Sequence, residues 1–519
     1  MDSADKKSSD PREVELKLQL APGSRAVLEA SSVFATAEAR QLHLVTTYFD
    51  TPNGLLEKAG LTLRVRRSGD SRIQTVKSRA NGRGVAMNRS EREWQIGQDA
   101  PDVERLAETR ELAKLAKQIK GRLKPVFITD IRRTVRLLHL GGKSVVEAAI
   151  DVGKIRAGAA SEAVSELELE LKGGDLGLMY RLAVQLQSLA PLWISTESKA
   201  ARGWHLRTGQ TEGAQEAQWP KLGRRAQAAD GFHKIIGGTL GHLIANIGPA
   251  LRGDPEGVHQ MRIALRGCRA ALRLFSPHLN TKAARRFDEA LKRFGRIFGA
   301  ARDWDVFCLH TLPAAMEDLP GERLRDLNQV AEMERKAAHA VVVEAVCGQH
   351  FTALILGLAV WIEAGAVRPC TLGDDRMVKR LTTLAPSLLD RAAHKVTKRA
   401  RHAGRLSVVK LHRLRKALDS LCDDVKYLAG LFPLREVSAY RGRCEEVQEI
   451  LGRANDAVVT KQLALKLVTD SRPDLARPAG ALVLWSRRRR QRTMQGLKGA
   501  LKHFRATPAF WTSKASKSA

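Results

Sequence analysis

"EVELKLQL" (residues 13–20) alternates charged or polar groups (Glu13, Glu15, Lys17, Gln19) with apolar ones (Val14, Leu16, Leu18, Leu20). That is the period of two of a β-strand with one buried face. A single strand of this kind ordinarily turns its charges to water, but this chain repeats the pattern. Arg64 and Arg66 share a face of "LTLRVRR", Thr75 and Lys77 of "RIQTVKS", and Glu91, Glu93 and Gln95 of "EREWQI". Arg133 follows Thr129 on "PVFITDIRR", and Glu147 shares a face with Asp151 on "VVEAAID". "SELELELK" (165–172) sets Glu166, Glu168, Glu170 and Lys172 against Leu167, Leu169 and Leu171.

The spacing predicts strands over 13–20, 43–50, 61–67, 72–78, 90–96, 126–138, 144–151 and 164–172, with helices near 102–123 and 175–189. A closed barrel whose apolar faces point outward against those helices would bring all these charges into its lumen. Buried charges persist only when paired or when they hold ions and ligands. Carboxylate clusters suit Mg²⁺ or Mn²⁺, and arginines and lysines suit phosphate oxygens. The pattern describes a container for a metal-bound oligophosphate.

The bulk composition agrees with an anionic partner. The 519 residues carry a net charge of +31. Residues 1–208 contain 34 Lys+Arg against 26 Asp+Glu, and residues 209–519 contain 53 against 30, so most of the excess lies in the second half. Such an excess implies a polyanion or an acidic surface. Aromatics at 5% disfavour a binder that stacks single-stranded bases. The six cysteines (Cys268, Cys308, Cys347, Cys370, Cys422, Cys444) form no CxxC pair, which argues against a zinc or disulfide framework and for a reducing cytosol. "MDSADKKSSD" reads as a frayed start rather than a secretory signal. The apolar run "FTALILGLAVWI" (351–362) is too short to span a bilayer and reads as a buried helix.

Polar "GQTEGAQEAQWPKL" (209–222) reads as a linker, and beyond it the periodicity is helical. That half repeats itself. "VHQMRIALRGCRAALRLF" (258–275) aligns without gaps to "LHRLRKALDSLCDDVKYL" (411–428), and the same offset of 153 carries "FGAARDWD" (298–305) onto "LGRANDAV" (451–458). It is a duplicated helical unit. His259, Arg262, Arg266, Arg269 and Arg273 form one stripe on the first copy, echoed by His412, Arg415 and Lys426 in the second but diluted there by Asp419 and Cys422. More bases crowd 391–402 and 487–492. An unbroken basic row repels itself unless an anion sits on it. Asp303 and its counterpart Asp456 read as orienting arginines through salt bridges.

Glu13-x-Glu15-x-Lys17 resembles the ExExK signature of the CYTH, or triphosphate tunnel metalloenzyme, superfamily, and "SELELELK" and "ESKAARGW" (197–204) are similar to its later motifs. The resemblance covers about 11–207. It implies an eight-stranded antiparallel tunnel, dependence on Mg²⁺ or Mn²⁺, and hydrolysis of a triphosphate. By position it makes Glu13, Glu15, Glu168 and Glu170 metal ligands, with Asp151 a further acidic candidate. Glu13, Glu15, Lys17, Glu168 and Glu170 would form the catalytic set, and Lys17, Arg64, Arg66, Lys77, Arg133, Lys199 and Arg202 would grip phosphates. Where many relatives have E-W-E this chain has Glu93-Trp94-Gln95, so a carboxylate is missing there.

The second half resembles the CHAD domain over about 225–505, through the paired V/L-H-x-x-R motifs and the duplicated G-x-x-[RN]-D segments. This implies two similar four-helix halves binding inorganic polyphosphate through His259, Arg262, Arg266, Arg269, Arg273, His412, Arg415 and Lys426. The expected fold is therefore α+β: an eight-stranded antiparallel barrel over 11–208, a linker over 209–222, and an all-α domain of two duplicated four-helix bundles over 223–507. Residues 1–10 and 508–519 are expected to be disordered. The expected function is an inorganic triphosphatase acting on tripolyphosphate, with long-chain polyphosphate as a second partner. Membrane binding is not expected and nucleic acid is disfavoured. The expected location is the cytoplasm, including polyphosphate granules. The alternatives are a polyphosphate-binding protein with a weak tunnel, or an adenylate cyclase or thiamine triphosphatase.

Overall fold

The computed structural model describes residues 12–35, 37–78, 84–108, 110–279, 281–364, 379–401 and 407–512. Residues 1–10, Cys370, His402 at the end of the basic run, and 513–519 lie outside them. The chain divides into two compact units. One runs to Ala214 and takes in Ile247–Arg252 and Val346–Ala364; the other comprises Gln215–Asn246, Gly253–Ala345 and the chain from Gly365.

The strands are β1 (Arg12–Leu20), β2 (Arg40–Asp50), β3 (Leu61–Ser68), β4 (Ser71–Ser78), β5 (Met87–Gln95), β6 (Lys124–His139), β7 (Val145–Ala157), β8 (Ala160–Gly173) and β9 (Leu192–Ile194). The helices begin with α1 (Ser24–Glu29), α2 (Ser32–Ala35), α3 (Leu55–Lys58), α4 (Val103–Ala107), α5 (Arg110–Ile119), α6 (Leu176–Leu189) and α7 (Lys199–Thr208). They continue with α8 (Ala228–Ala245), α9 (Ile247–Leu251), α10 (Pro255–Leu274), α11 (Thr281–Val306), α12 (Leu312–Asp318), α13 (Leu324–Cys347) and α14 (Gln349–Glu363). The last are α15 (Leu381–Arg399), α16 (Val408–Leu428), α17 (Leu434–Lys466), α18 (Ala476–Gln495) and α19 (Leu497–Ala506).

In the first unit the strand order is β5-β4-β3-β2-β6-β7-β8-β1, all antiparallel, and β1 pairs back onto β5. The eight-stranded sheet is thereby closed, which removes its open edges; β9 continues along β1 where β5 stops. Gly69 (φ 56°) and Gly158 (φ 60°) supply the positive φ that two-residue hairpin turns require. Each predicted strand is present. The alternation of "EVELKLQL" places Leu16 opposite Leu169 and Leu18 opposite Leu167, all buried, and Lys17 opposite Glu168 on the other face. Outside, Leu63 and Val76 pack with Leu56, Leu106, Ala116 and Ile119 from α3, α4 and α5.

The inner face departs from the all-charged lumen expected of it. Leu44, Tyr48, Phe127, Ile131, Ile155 and Val164 share the inward parity of Thr46, Thr129 and Asp151. They form a core with Ala200, Trp204 and Leu206 of α7. The helix therefore lies against the inner side of the sheet. Its close approach requires Gly203, where a Cβ would sit 2.3 Å from the Phe127 ring. Periodicity did not foretell this, because a helix on the inside leaves the strand alternation unchanged.

The run 351–362 is the buried helix expected, α14, and it belongs to the first unit although it lies between the two helical repeats. It packs on α6 and β9, burying Phe351, Ile355, Leu358 and Ile362, and Gln187 donates to the carbonyl of Gln349 at 2.8 Å.

In the second unit the duplication is literal. Helices α8, α10 and α11 start at 228, 255 and 281, and α15, α16 and α17 start at 381, 408 and 434, each 153 residues later; α13 and α18 complete the two sets of four. The Ala228 N–H donates to the Lys379 carbonyl (3.1 Å) and the Leu381 N–H to the Ala226 carbonyl (2.8 Å). These bonds exchange equivalent residues, as a pseudo-two-fold axis requires. Two boundaries differ from expectation. Gln215 is fixed by Asn246 and Leu222 is buried, so the second part of the proposed linker is packed. Past 507, Phe510 and Trp511 are buried, and the Trp511 indole donates to Asp390 at 2.6 Å, so the described residues 508–512 are anchored by aromatic burial.

Because α14 covers α6, Ile355→Ala should destabilise the first unit by about 2–5 kcal/mol, read as a lowered melting midpoint. A fragment ending at Ala214 should melt well below the full chain and bind more hydrophobic dye. Parent-like melting of that fragment would show that α14 contributes nothing.

Candidate functional site

The register of β1, β6, β7 and β8 assembles the charged half of the lumen. Asp151 lies opposite both Arg133 and Glu166, and Lys17 opposite Glu168. One carboxylate oxygen from each of Asp151, Glu166 and Glu168 lies within 4.8 Å of the others. Lys199, at the start of α7 behind the Ser198 cap, reaches Asp151 (2.6 Å), Glu168 (3.0 Å) and Glu166. Lys17 reaches Glu168 (2.7 Å), Glu15 (3.3 Å) and Glu166 (3.5 Å). The Arg133 guanidinium forks onto Asp151 (2.7 and 2.6 Å) and touches Glu168. Arg202 pairs with Glu162 (2.7 Å) and Glu166 (3.4 Å).

A second group lies on β1, β3, β4 and β5: Lys77 bridges Glu13 (2.9 Å) and Glu91 (2.8 Å), and Arg64 lies 3.4 Å from Glu91. Glu170, opposite Glu15, pairs with Lys172 (2.7 Å). Its carboxyl is raised by burial, and the neighbouring Glu13 and Glu147 add to this against Lys172. Gln95 is exposed opposite Ile73, and Glu93 accepts from the Thr75 hydroxyl (3.1 Å).

Burial alone would raise the carboxyls of Glu168 and Asp151. The cations outweigh it: Lys17, Lys199 and Arg133 hold Glu168 well below the carboxylate range, and Lys199 and Arg133 lower Asp151. Arg66 is different. Arg64 foremost, then burial and Arg133, push it down to about 10, and its buried Nε has no hydrogen-bond partner among the described residues. Beside it, the Tyr48 phenol is raised by burial but lowered overall by Arg64, Lys199 and Arg66.

The structure thus brings together Lys17, Asp151, Glu168, Arg133, Lys199 and Arg202, and holds Glu13 with Lys77. Sequence reasoning had Glu166 on the right face but left it out of the site, along with Glu91 and Tyr48. Period-two patterning names a face without saying which of Glu166, Glu168 and Glu170 comes opposite Asp151; only the register decides that. All three acids of the central group are hard oxygen donors, which fits Mg²⁺ or Mn²⁺.

In the second unit the basic stripe is bare in sequence but not in space. Arg266 pairs with Asp423 (3.1 Å) and Arg269 with Asp288 (2.9 Å). Arg273 donates to Ser420 (3.4 Å), and Lys426 stands over the Trp219 ring. Neighbouring helices supply the acids that the row lacks. The weakest compensation lies on symmetry-related positions: the Nε atoms of Arg262 and Arg415 are buried without hydrogen-bond partners, and Arg415 keeps only a 3.8 Å ion pair with Asp419. Burial, Arg266, Arg415 and Arg302 push Arg262 down to about 10 against Asp303. His259 falls to about 4 through burial, Arg302, Arg262 and Arg266, and His412 is lowered by burial, Lys416 and Arg415. The expected salt bridges of Asp303 and Asp456 are absent among the described residues. Both carboxyls are raised by burial, and Asp456 raises Asp303 further, against the nearby arginines.

The signs of the tunnel shifts set a pH dependence. Glu168 and Asp151 titrate lower folded than unfolded, so their stabilisation is complete above about pH 5 and is lost as pH falls toward the folded values. The melting midpoint should drop on acidification below about pH 5. Glu168→Gln should flatten that drop and lower the midpoint at pH 7, since an amide cannot neutralise Lys17, Lys199 and Arg133. An unchanged acid limb in the variant would refute the assignment.

Residues 11–204 match the CYTH domain and residues 234–465 the CHAD domain. An inorganic triphosphatase of Haemophilus influenzae is 32% identical over 196 residues, 38% of this chain. The match spans only 55% of that relative's length. The crystal structure of the CHAD domain from the plant Ricinus communis is similar at a TM-score of 0.50 and 24% identity, over 57% of this chain and 98% of that one; it supports the helical fold. The chain thus carries a CYTH domain followed by a CHAD domain.

Proposed function

We propose that the tunnel hydrolyses tripolyphosphate to pyrophosphate and phosphate with Mg²⁺ or Mn²⁺, and that the helical unit binds long-chain inorganic polyphosphate in the cytoplasm. The observation that carries the tunnel reading is Arg66, half-buried with a buried Nε that has no hydrogen-bond partner among the described residues, and pressed by Arg64 and Arg133 with only Tyr48 and Glu93 to offset them in part. A fold places like charges together at such depth where an anion completes them. The inorganic triphosphatase relative supports the choice of substrate.

Asp151, Glu166 and Glu168 would hold the metal, with Glu13, Glu15 and Glu170 as further oxygen donors along the same wall. A bound divalent ion supplies charge neutralisation on phosphate oxygens and a water of lowered pKa. The protein's own part is positioning. Arg64, Arg66, Arg133, Lys77, Lys17 and Lys199 take the phosphate oxygens and stabilise the charge that moves onto the leaving pyrophosphate. Water adds to the terminal phosphorus as its bond to the bridging oxygen breaks. Tyr48, packed on Phe127 (4.4 Å), keeps the Arg64–Arg66 wall in place.

Arg66→Ala and Glu166→Gln should each lower kcat/KM for tripolyphosphate by about 100-fold or more; the melting midpoint should move little in Arg66→Ala but fall in Glu166→Gln, where Lys17, Lys199 and Arg202 lose a buried counter-ion. Chelation of divalent ions should abolish turnover, and Mg²⁺ or Mn²⁺ should restore it. Phosphate release decides, and parent-like turnover by Arg66→Ala would remove the basis for the reading.

For the helical unit, the pair to alter is Arg262→Ala with Arg415→Ala, because Arg266 and Arg269 are held closely by Asp423 (3.1 Å) and Asp288 (2.9 Å), whereas Arg262 has no ion pair among the described residues and Arg415 only a 3.8 Å one with Asp419. Polyphosphate binding, measured by filter retention at matched salt, should weaken at least tenfold, while tripolyphosphate hydrolysis stays unchanged. Equal retention by parent and variant would mean that the two arginines belong to a solvated face.

A further inference from the structure

After Asp474 the sequence has no aspartate or glutamate to its end, against seven arginines and four lysines. Five of these arginines crowd the second half of α18, and none of Arg487, Arg488, Arg489, Arg490 and Arg492 is ion-paired among the described residues. Leu484, Arg487, Arg488, Gln491, Arg492 and Gln495 are all exposed, and their helical spacing puts them on one face, about 16 Å long. The other side of the helix is fixed. Ala479 and Leu482 are buried in the core of the unit, Arg489 lies 5.0 Å over the Trp485 ring, and the Trp485 indole donates to Asp318 at 2.7 Å. The fold does not demand this row. In the first copy the corresponding helix is α13, which carries Asp326, Glu332, Glu334 and Glu344. There Arg335 is held by Glu332 (2.8 Å) and Asp305 (3.4 Å); the counterpart of Asp305 in the second copy is Val458.

From this one-sided charge on a rigid, exposed helix we propose that α18 is a docking surface for duplex DNA. The guanidinium is the cation whose fork matches phosphate oxygens, and a row of such groups without acids binds a polyanion by releasing its counterions. A thin polyphosphate chain is held best where cations surround it, as around the buried Arg262; an exposed helix face meets it from one side only. A duplex is itself a broad charged surface. Its B-form major groove is about 12 Å wide and admits an α-helix, whereas the A-form groove of duplex RNA is too narrow. Arginine and glutamine, the polar residues of this face, are also the donors that suit guanine and adenine edges there. The low aromatic content disfavours stacking on single-stranded bases, which a duplex does not ask for. An anionic membrane fits less well, because the apolar side of α18 is spent on the core and cannot enter lipid. The proposal is independent of the tunnel and of the arginines at the helical axis.

The test uses the full chain and a short fluorescent DNA duplex, with binding read by anisotropy over a series of salt concentrations. The parent should bind the duplex, and the triple variant Arg487→Gln, Arg488→Gln and Arg492→Gln should bind it at least tenfold more weakly. Its slope of log affinity against log salt should be shallower by about 2–3, since each lost phosphate contact removes about 0.9. All three side chains are exposed, so the melting midpoint should stay within about a degree or two of the parent. Polyphosphate retention and tripolyphosphate hydrolysis should be unchanged in the triple variant, and Arg262→Ala with Arg415→Ala should bind the duplex like the parent. A parent that binds no duplex, or equal duplex binding by parent and triple variant, overturns the proposal. Polyphosphate retention that falls in the triple variant as far as duplex binding does also overturns it, since α18 would then belong to a general polyanion surface. Tighter parent binding to phosphatidylglycerol vesicles than to the duplex, lost in the same variant, would assign the face to a membrane instead.

Discussion

Asp151, Glu166 and Glu168 can be buried together only because Lys17, Lys199 and Arg133 are buried with them. Removing a buried ion's partner costs about 3–5 kcal/mol, so the six groups stand or fall as a set. That requirement reaches into the fold. Lys17 must lie on the strand beside Glu168, which fixes the β1–β8 register; Arg133 must face Asp151, which fixes β6 against β7. Lys199 comes from outside the sheet altogether. It arrives because α7 is seated on the inner apolar patch around Phe127, and that seat exists because position 203 has no side chain to collide with the ring. The apolar and the charged parts of the inner face are thus one construction: the first locates the helix whose lysine neutralises the second.

The helical unit is governed by symmetry instead. Duplication with a two-fold relation brings each residue near the axis close to its own copy. For apolar residues this doubles a contact, but for charged ones it sets like against like. Arg262 and Arg415 are such a pair, and so are Asp303 and Asp456: Arg415 helps to lower Arg262, and Asp456 helps to raise Asp303. Divergence between the copies has relieved the stripe away from the axis: Asp423 answers Arg266, where the corresponding residue of the first copy is Ala270. At the axis the like pairs remain.

How much of this was legible in the sequence depended on the range of the interaction. Period-two alternation and the ExExK spacing are local, and they located the strands and the charged face; the offset of 153 located the duplicated helices. Three things were not local. The exchange of partners between Lys17, Lys199 and Arg133 depends on cross-strand register, which no single strand encodes. The position of α14 in the first unit joins residues more than 160 apart, Gln187 and Gln349 among them. The acids that neutralise Arg266 and Arg269 come from other helices, so a stripe read along one helix overstated the free positive charge. The residue types point to a container for a metal-bound oligophosphate and the CYTH resemblance to triphosphate hydrolysis, but the local pattern could not name Glu166 as one of the three acids.

The two cationic regions treat an incoming anion differently. In the tunnel every central cation has a carboxylate partner, so an anion gains a contact only by displacing an existing one, and a metal ion is needed to make the exchange balance. At the helical axis Arg262 has no ion-pair partner among the described residues and Arg415 has only Asp419 at 3.8 Å, so an anion adds contacts while displacing little, and the accompanying gain is the release of counterions from a self-repelling cluster. The first arrangement discriminates by composition, favouring a ligand that brings both signs of charge at once. The second discriminates by charge density, favouring a thin chain with an oxyanion at every repeat. A protein that carries both can retain a long polyanion at one site without that polyanion, free of metal, filling the other.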